Sequence, residues 1–174
     1  MLTSTNSISK HFSSPEELIF GLASCNSVYK KAFLGTEDEN FVATKDNMSD
    51  FVLLAYDENG LAVGVAALTY HEKGRALEVR TVAAYAPYKD KDVLNFLAEK
   101  EVPVAVRRWC GGEDAWLTVA VMQSNRRFQA ELNAIGFSLP PSMMEGILED
   151  RGYVPFDPVD HVLMKRQVNF AAEK

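Results

Sequence analysis

Residues 51–85 read FVLLAYDENGLAVGVAALTYHEKGRALEVRTVAAY. Two turn signals, Asn59-Gly60 and residues 71–74, divide this stretch into three apolar runs. Asn-Gly between apolar runs is the strongest short-range signal of a β-hairpin. We therefore predict three antiparallel strands in a meander, over residues 51–56, 61–70 and 76–85. The small residue Gly64 inside the second run indicates that another element approaches one face of the sheet closely.

The chain after the meander alternates helix and strand patterns. Pro87 ends the third strand, and Val93, Leu94 and Leu97 then recur at helical spacing. The predicted helices cover 89–101, 126–135 and 143–149, and Pro103 either kinks the first of these or starts another helix that runs to Trp109. The predicted strands cover 115–121, 137–139, 153–156 and 161–166.

The chain before the meander predicts two short helices. Ser14, Pro15 and Glu17 form the signature of a capping box with proline at the first helical position. Apolar spacing then favours helices over 15–24 and 26–34, separated by the polar residues 24–27. Residues 36–49 are predicted to be a loop. We expect a single domain over 1–174, with an amino-terminal arm over 1–13 and a frayed tail over 167–174.

Composition excludes several classes of function. The 174 residues carry a net charge of -6, which argues against nucleic acid and against anionic membrane as partners. No run of apolar residues is long enough for a membrane span, and the three histidines form no metal-binding pattern, so we expect no metal. Two distant cysteines, Cys25 and Cys110, suit a cytoplasmic protein. Arg107 and Arg108 would favour a thiolate at Cys110.

Three segments resemble the acetyl-CoA-dependent N-acetyltransferases of the GNAT superfamily. The meander runs directly into a helix, as in that family. Residues 117–137, LTVAVMQSNRRFQAELNAIGF, resemble its fifth strand, an asparagine, a helix and Gly-Phe, and residues 152–166, GYVPFDPVDHVLMKR, resemble its final strands. The resemblance covers roughly residues 50–170. It implies an α/β fold with a mixed central sheet, an antiparallel amino-terminal meander and flanking helices.

The resemblance also implies a binding site for acetyl-CoA. In active members the fourth and fifth strands splay apart, and the pantetheine arm pairs with the fourth strand. Val82 lies in the strand that corresponds to this fourth strand. A glycine-rich turn before the next helix then wraps the diphosphate, because converging N–H groups at a helix start attract anions. Lys89, Lys91 and Asn125 are the other residues that would contact the cofactor in an active protein. Asn125 also suits a plain helix cap.

The turn before that helix departs from the family pattern. It reads APYKDKDVLN over residues 86–95, and no glycine occurs between Gly74 and Gly111. Asp90 and Asp92 bring negative charge to the place where two phosphates would bind. The tyrosine that protonates the leaving thiolate in many members is also missing, because Leu132 or Leu148 takes its position. The sequence therefore resembles a degenerate member, and such domains also occur in virions of short-tailed phages.

Glu78 is the candidate catalytic base, on the third strand of the meander. The alternative is an exposed strand residue beside Arg80. His71 is a second, weaker candidate, which we expect to be a solvated turn residue.

Two functions stay open at this point. The first is a GNAT-like domain without acetyl-CoA chemistry that binds another protein, in a host cytoplasm or a virion if phage-encoded. The second is an active N-acyltransferase with an atypical diphosphate loop and acetyl-CoA as cofactor. An open V between strands 76–85 and 115–121 favours the enzyme, whereas a groove filled by Tyr88, Leu94 or Phe96 favours the first function. The oligomeric state is left open.

Overall fold

The computed structural model describes residues 1–72, 75–112, 114–122, 124–138 and 161–168. Its strands are β1 (Leu2–Ser9), β2 (Phe51–Asp57), β3 (Ala62–His71), β4 (Ala76–Ala84), β5 (Trp116–Met122) and β6 (His161–Gln167). Its helices are α1 (Pro15–Ala32), α2 (Asp90–Lys100), α3 (Val102–Trp109) and α4 (Arg126–Ala134). The predicted helix over 143–149 and the predicted strand over 153–156 lie outside the described residues.

The six strands form one mixed sheet in the order in which they occur along the chain. Strands β4 and β5 are parallel, and every other neighbouring pair is antiparallel. This confirms the predicted α/β sheet with an antiparallel amino-terminal meander. Of the strand predicted over 137–139, residues 137 and 138 are described, and Ser138 forms an isolated bridge with Lys165.

Helices cover both faces of the sheet. Since side chains of a strand alternate between the two faces, neighbouring residues of one strand pack into different cores. In β2, Leu53 packs into the core shared with α2, α3 and α4, whereas Leu54 packs into the core shared with α1. The close approach indicated by Gly64 comes from α2, since a Cβ atom at Gly64 would lie 2.5 Å from Val93 Cγ1.

The predicted amino-terminal arm is wrong, because residues 2–9 form β1 at the edge of the sheet. β1 pairs with β2, and Ile8 is 1% exposed in the core beneath α1. The hydroxyls of Thr5 and Ser7 donate hydrogen bonds of 3.0 and 3.1 Å to the buried Glu101 carboxylate. The sequence of β1 lacks the apolar alternation that predicts a strand. Glu101, the residue that Ser7 contacts, lies 94 positions further along the chain.

The two helices predicted over 15–34 are one helix, α1. Its capping box at Ser14 and Glu17 is present as predicted. The polar residues 24–27 do not interrupt it, since the buried Cys25 anchors that turn to the core.

The predicted tail begins too early. Gln167 is the last residue of β6, and the backbone N–H of the buried Val168 donates to the Ala115 carbonyl. Residues 169–174 lie outside the described residues. Within the described ranges, no helix is both long and apolar enough to cross a lipid bilayer.

Candidate functional site

Strands β4 and β5 pair over only three residues and then separate. Ala76, Leu77 and Glu78 lie opposite Trp116, Leu117 and Thr118, and no later pair joins the two strands. Both strands continue beyond this point, to Ala84 and Met122. The described part of the sheet therefore contains an open V, in which β4 pairs with β5 no further than residue 78.

A β-bulge lies in β4 where the V opens. Ala67 of β3 pairs with Thr81, and the next residue, Leu68, pairs with Val79. Arg80 is the extra residue between them. A bulge bends its strand and increases its local twist, and bulges are common beside active sites. The bulge therefore helps to turn β4 away from β5.

A groove with a volume of about 210 Å³ occupies the V. Its lining comes from β4, β5 and the first turns of α2 and α4 and comprises Val79, Arg80, Thr81, Val82, Asp90, Lys91, Leu94, Val119, Ala120 and Phe128. Leu94 forms part of the wall and leaves the groove open. Tyr88 is turned elsewhere, where its hydroxyl accepts a 2.8 Å hydrogen bond from the amino terminus.

The predicted cofactor-binding residues occupy different places around this groove. Val82 and Lys91 line it. Lys89 is the N-cap residue of α2 and makes no side-chain cap. Asn125 caps α4, because its Oδ1 accepts a hydrogen bond of 3.2 Å from the Phe128 N–H. A role for these four residues in cofactor binding stays a prediction.

The groove fits the linear arm of an acyl-CoA. From residue 79 the backbone of β4 pairs with no strand on the side of β5 among the residues that the structure describes. An extended chain with amide groups can pair with such an edge, and the pantetheine arm has two amides.

The start of α2 does not fit a diphosphate. Asp90 and Asp92 lie in its first turn, where an anion site needs converging N–H groups and no opposing charge. Although Asp90 is exposed as a residue, desolvation of its carboxyl group and the charge of Glu131 raise its pKa above the ordinary 3.8. A raised pKa indicates that even one negative charge is unfavourable here.

Glu78, the candidate base, is buried and not exposed as the alternative reading required. It is 2% exposed, and its Oε1 lies 2.9 Å from His71 Nε2 and 3.4 Å from Arg80 Nη1. His71 is also wrong as a solvated turn residue, since it ends β3 and is 3% exposed. The turn that was predicted to begin at residue 71 begins at residue 72. Glu78 is not one of the groove's lining residues, but Arg80, which is one, lies 3.4 Å from its carboxylate.

A second cavity, which no sequence pattern indicated, lies on the face of the sheet that α1 covers. Its volume is about 230 Å³. The walls come from α1, the 33–49 segment and the sheet, with Tyr29, Phe33 and Phe41 as the aromatic members. Thr81 lines both this cavity and the groove. Thr81 is therefore a wall residue that the two spaces share.

The cysteines are unsuited to act as nucleophiles. Burial raises the pKa of Cys25 to about 12 and that of Cys110 to about 11. The thiolate that Arg107 and Arg108 would favour at Cys110 is therefore not stabilised. Among the described residues, no three histidine, cysteine or acidic side chains form a group that could hold a metal ion.

Comparison with known proteins shows similarity in fold. No family model matches the sequence, and no curated protein matches it. The crystal structure of Tetrahymena GCN5 is similar with a TM-score of 0.60 at 11% identity, over 96% of this chain and 97% of that one. An acyl-CoA N-acyltransferase from Pseudomonas aeruginosa gives 0.54 at 14% identity, over 95% and 99%.

A third similar structure is an acetyltransferase of the GNAT family from Streptococcus pneumoniae. Its TM-score is 0.52 at 17% identity, over 95% of this chain and 100% of that one. At such identities the likeness shows the fold alone. The chain has the GNAT-like α/β fold.

Proposed function

We propose that this protein is an N-acyltransferase that takes an acyl group from a thioester on a pantetheine arm. The open V between β4 and β5 carries the proposal. Three residue pairs join these parallel strands before they separate at a bulge. The groove so formed is a ready-made site for an extended arm, and it opens beside a second cavity that can hold an acceptor.

The reaction would form one bond and break one. The nitrogen of a neutral amine attacks the thioester carbonyl carbon, and the C–S bond breaks as the amide C–N bond forms. The nitrogen loses a proton, and the departing sulfur takes one up. Glu78 is the proposed proton acceptor, acting through water past Arg80, since His71 and Arg80 hold its carboxylate in place.

The diphosphate of CoA adds little to binding in this proposal. The first turn of α2 presents Asp90 and Asp92 instead of a glycine nest. Lys89 and Lys91 offset that charge without supplying the geometry. We therefore expect a truncated donor, S-acetylpantetheine, to serve nearly as well as acetyl-CoA.

The carboxylates at α2 favour a second candidate function. In that case the chain retains the fold, transfers no acyl group and binds another protein. An origin in a phage, with a place in the host cytoplasm or the virion, belongs to this second candidate and stays a prediction.

The two candidates are separated by measuring thiol release from both donors with a panel of primary amines. We expect turnover with KM values for acetyl-CoA and S-acetylpantetheine within about tenfold of each other, which is a difference of about 1.4 kcal/mol. The absence of both turnover and binding of either donor at millimolar concentration would overturn the proposal in favour of the second candidate.

A matched pair of variants tests the place of binding. Val82→Trp fills the groove, whereas Ala130→Trp adds the same side chain on the exposed side of α4. Val82→Trp should abolish binding of both donors, and Ala130→Trp should retain it. Equal binding by the two variants would contradict the assignment of the groove.

A further inference from the structure

The second cavity has the composition of a site for a small aromatic amine. Tyr29 and Phe33 stack with ring centroids 5.1 Å apart, and the Phe41 ring meets Tyr29 edge-on at 5.4 Å. Three aromatic walls attract both apolar rings and cations. At about 230 Å³, the cavity is smaller than the roughly 300–1,000 Å³ of drug-sized sites, and a single-ring molecule suits it.

The 33–49 segment that closes this cavity is held in place. Asn26 of α1 fixes it at Ala43, where the side-chain amide accepts a 2.7 Å hydrogen bond and donates one of 3.0 Å. Asn47 adds bonds to the Thr44 N–H and the Val42 carbonyl. A cavity with walls fixed in this way binds at a lower entropic cost.

Charge around the cavity favours a cation. Residues 36–50 carry five carboxylates and one lysine. Asp38 lines the cavity, and in the described part of the chain its carboxylate has no ion-pair partner. An ammonium group could therefore pair with it.

Tyr29 adds a polar contact at the inner end. It lines the cavity and is 4% exposed, and no hydrogen bond to its hydroxyl occurs within the described ranges. Burial also raises the pKa of Tyr29, so the phenol keeps its proton. A hydroxyl in the wall of a cavity can donate a hydrogen bond to a polar ligand atom.

We infer that this cavity is the acceptor site and that its substrates are primary amines on a small aromatic body. The inference rests on the proposed function. Thr81 lines both spaces, so an amine held there lies beside the bulge where the thioester would end. The ring would lie among Tyr29, Phe33 and Phe41. The ammonium would pair with Asp38 on entry and lose its proton before attack.

Equilibrium binding to the whole protein, without any donor, tests the cavity directly. The probe is 2-phenylethylamine, compared with 2-phenylethanol, which lacks the charge, and ethanolamine, which lacks the ring. We expect the first to bind about tenfold more tightly than either, as one lost charged hydrogen bond or one lost aromatic contact predicts. Equal or tighter binding of ethanolamine would overturn the inference.

Two pairs of variants locate the binding. Asp38→Asn and Phe41→Ala should each weaken 2-phenylethylamine by about tenfold. Their neighbours in the same segment, Glu37→Gln and Val42→Ala, should leave its affinity unchanged. Should the first pair fail to fold, amide shifts of Ala67 and Thr81 in the parent protein, measured by NMR during titration, give the same answer. Shifts confined to other regions would place the ligand elsewhere and overturn the inference.

Failure of the inference differs from failure of the proposed function. Acyl transfer to other amines without binding of 2-phenylethylamine overturns the acceptor class and leaves the transferase. Binding of 2-phenylethylamine without acyl transfer to any amine overturns the acceptor role along with the proposed function.

Discussion

His71 Nε2 lies 2.9 Å from Glu78 Oε1, and the two side chains are 3% and 2% exposed. The residues come from neighbouring strands, where Thr69 pairs with Glu78 and His71 with Ala76. Burying a carboxyl group without hydrogen-bond partners costs free energy. Glu78 therefore needs its contact with His71 in order to lie in the interior.

Replacing His71 should therefore destabilise the protein more than replacing Glu78 conservatively. His71→Ala removes one partner of a buried acid and should cost about 3 kcal/mol. Glu78→Gln keeps an oxygen that can accept a hydrogen bond and should cost less. Urea unfolding monitored by circular dichroism measures both values.

Thr118 provides the control. It lies opposite Glu78 on β5, and its buried hydroxyl has no hydrogen-bond partner in the described part of the chain. Thr118→Val has the same shape and removes an unsatisfied group, so stability should stay equal or rise. A loss at Thr118→Val as large as that at His71→Ala would show that any polar change here is disruptive, and the specific pair would lose its support. In thiol-release assays Glu78→Gln should lower kcat more than His71→Ala, if the proposed role of Glu78 holds.

Gly64 and Val93 make a second prediction possible. A Cβ atom at Gly64 would lie 2.5 and 2.7 Å from the two Val93 methyl groups. Valine has one strongly preferred rotamer in a helix and cannot turn away. Gly64→Ala should therefore destabilise by about 1–3 kcal/mol, the usual cost of overpacking a core.

A double-mutant cycle separates this clash from a loss of backbone freedom. Val93→Ala alone creates a cavity and should be destabilising. Combined with Gly64→Ala, it should be less destabilising than the sum of the two changes, because the new methyl group fills the space. Simple additivity would mean that the two residues do not interact.

The meander was predictable because its information is local. Asn59-Gly60 and the apolar runs beside it specify a hairpin without help from distant residues. β1 was not predictable, since its polar residues are held by β2 and by Glu101, far along the chain. The same limit applies to α1, where the buried Cys25 outweighs the polar residues around it.

The candidate site was predictable only in part. The resemblance pointed to β4, β5 and the start of α2, and the groove lies there. The burial of His71 and Glu78 was missed because a charged residue in one sequence carries no sign of its depth. The second cavity was missed for a related reason, since residues 36–49, which form one wall, are mostly polar, with a short apolar patch at residues 41–43.

Asp90 makes stability depend on pH in an unusual direction. Desolvation and the charge of Glu131 raise its pKa above the ordinary 3.8. A group of this kind favours folding while it is protonated, and that contribution is lost as the pH rises through its folded-state pKa. Asp90→Asn should therefore be more stable than the parent at neutral pH, and the difference should vanish below about pH 3.8. Thermal melts at a series of pH values measure it.

Glu131→Gln is the coupled control, since it removes the second cause of the raised pKa. In that background the gain from Asp90→Asn should be smaller. Asp90→Asn should also lower the KM for acetyl-CoA relative to the KM for S-acetylpantetheine, because it removes one negative charge from the place where the diphosphate would lie. A gain in stability without this change in KM would mean that the diphosphate lies away from α2, and the argument about the missing glycine turn would then lose its force.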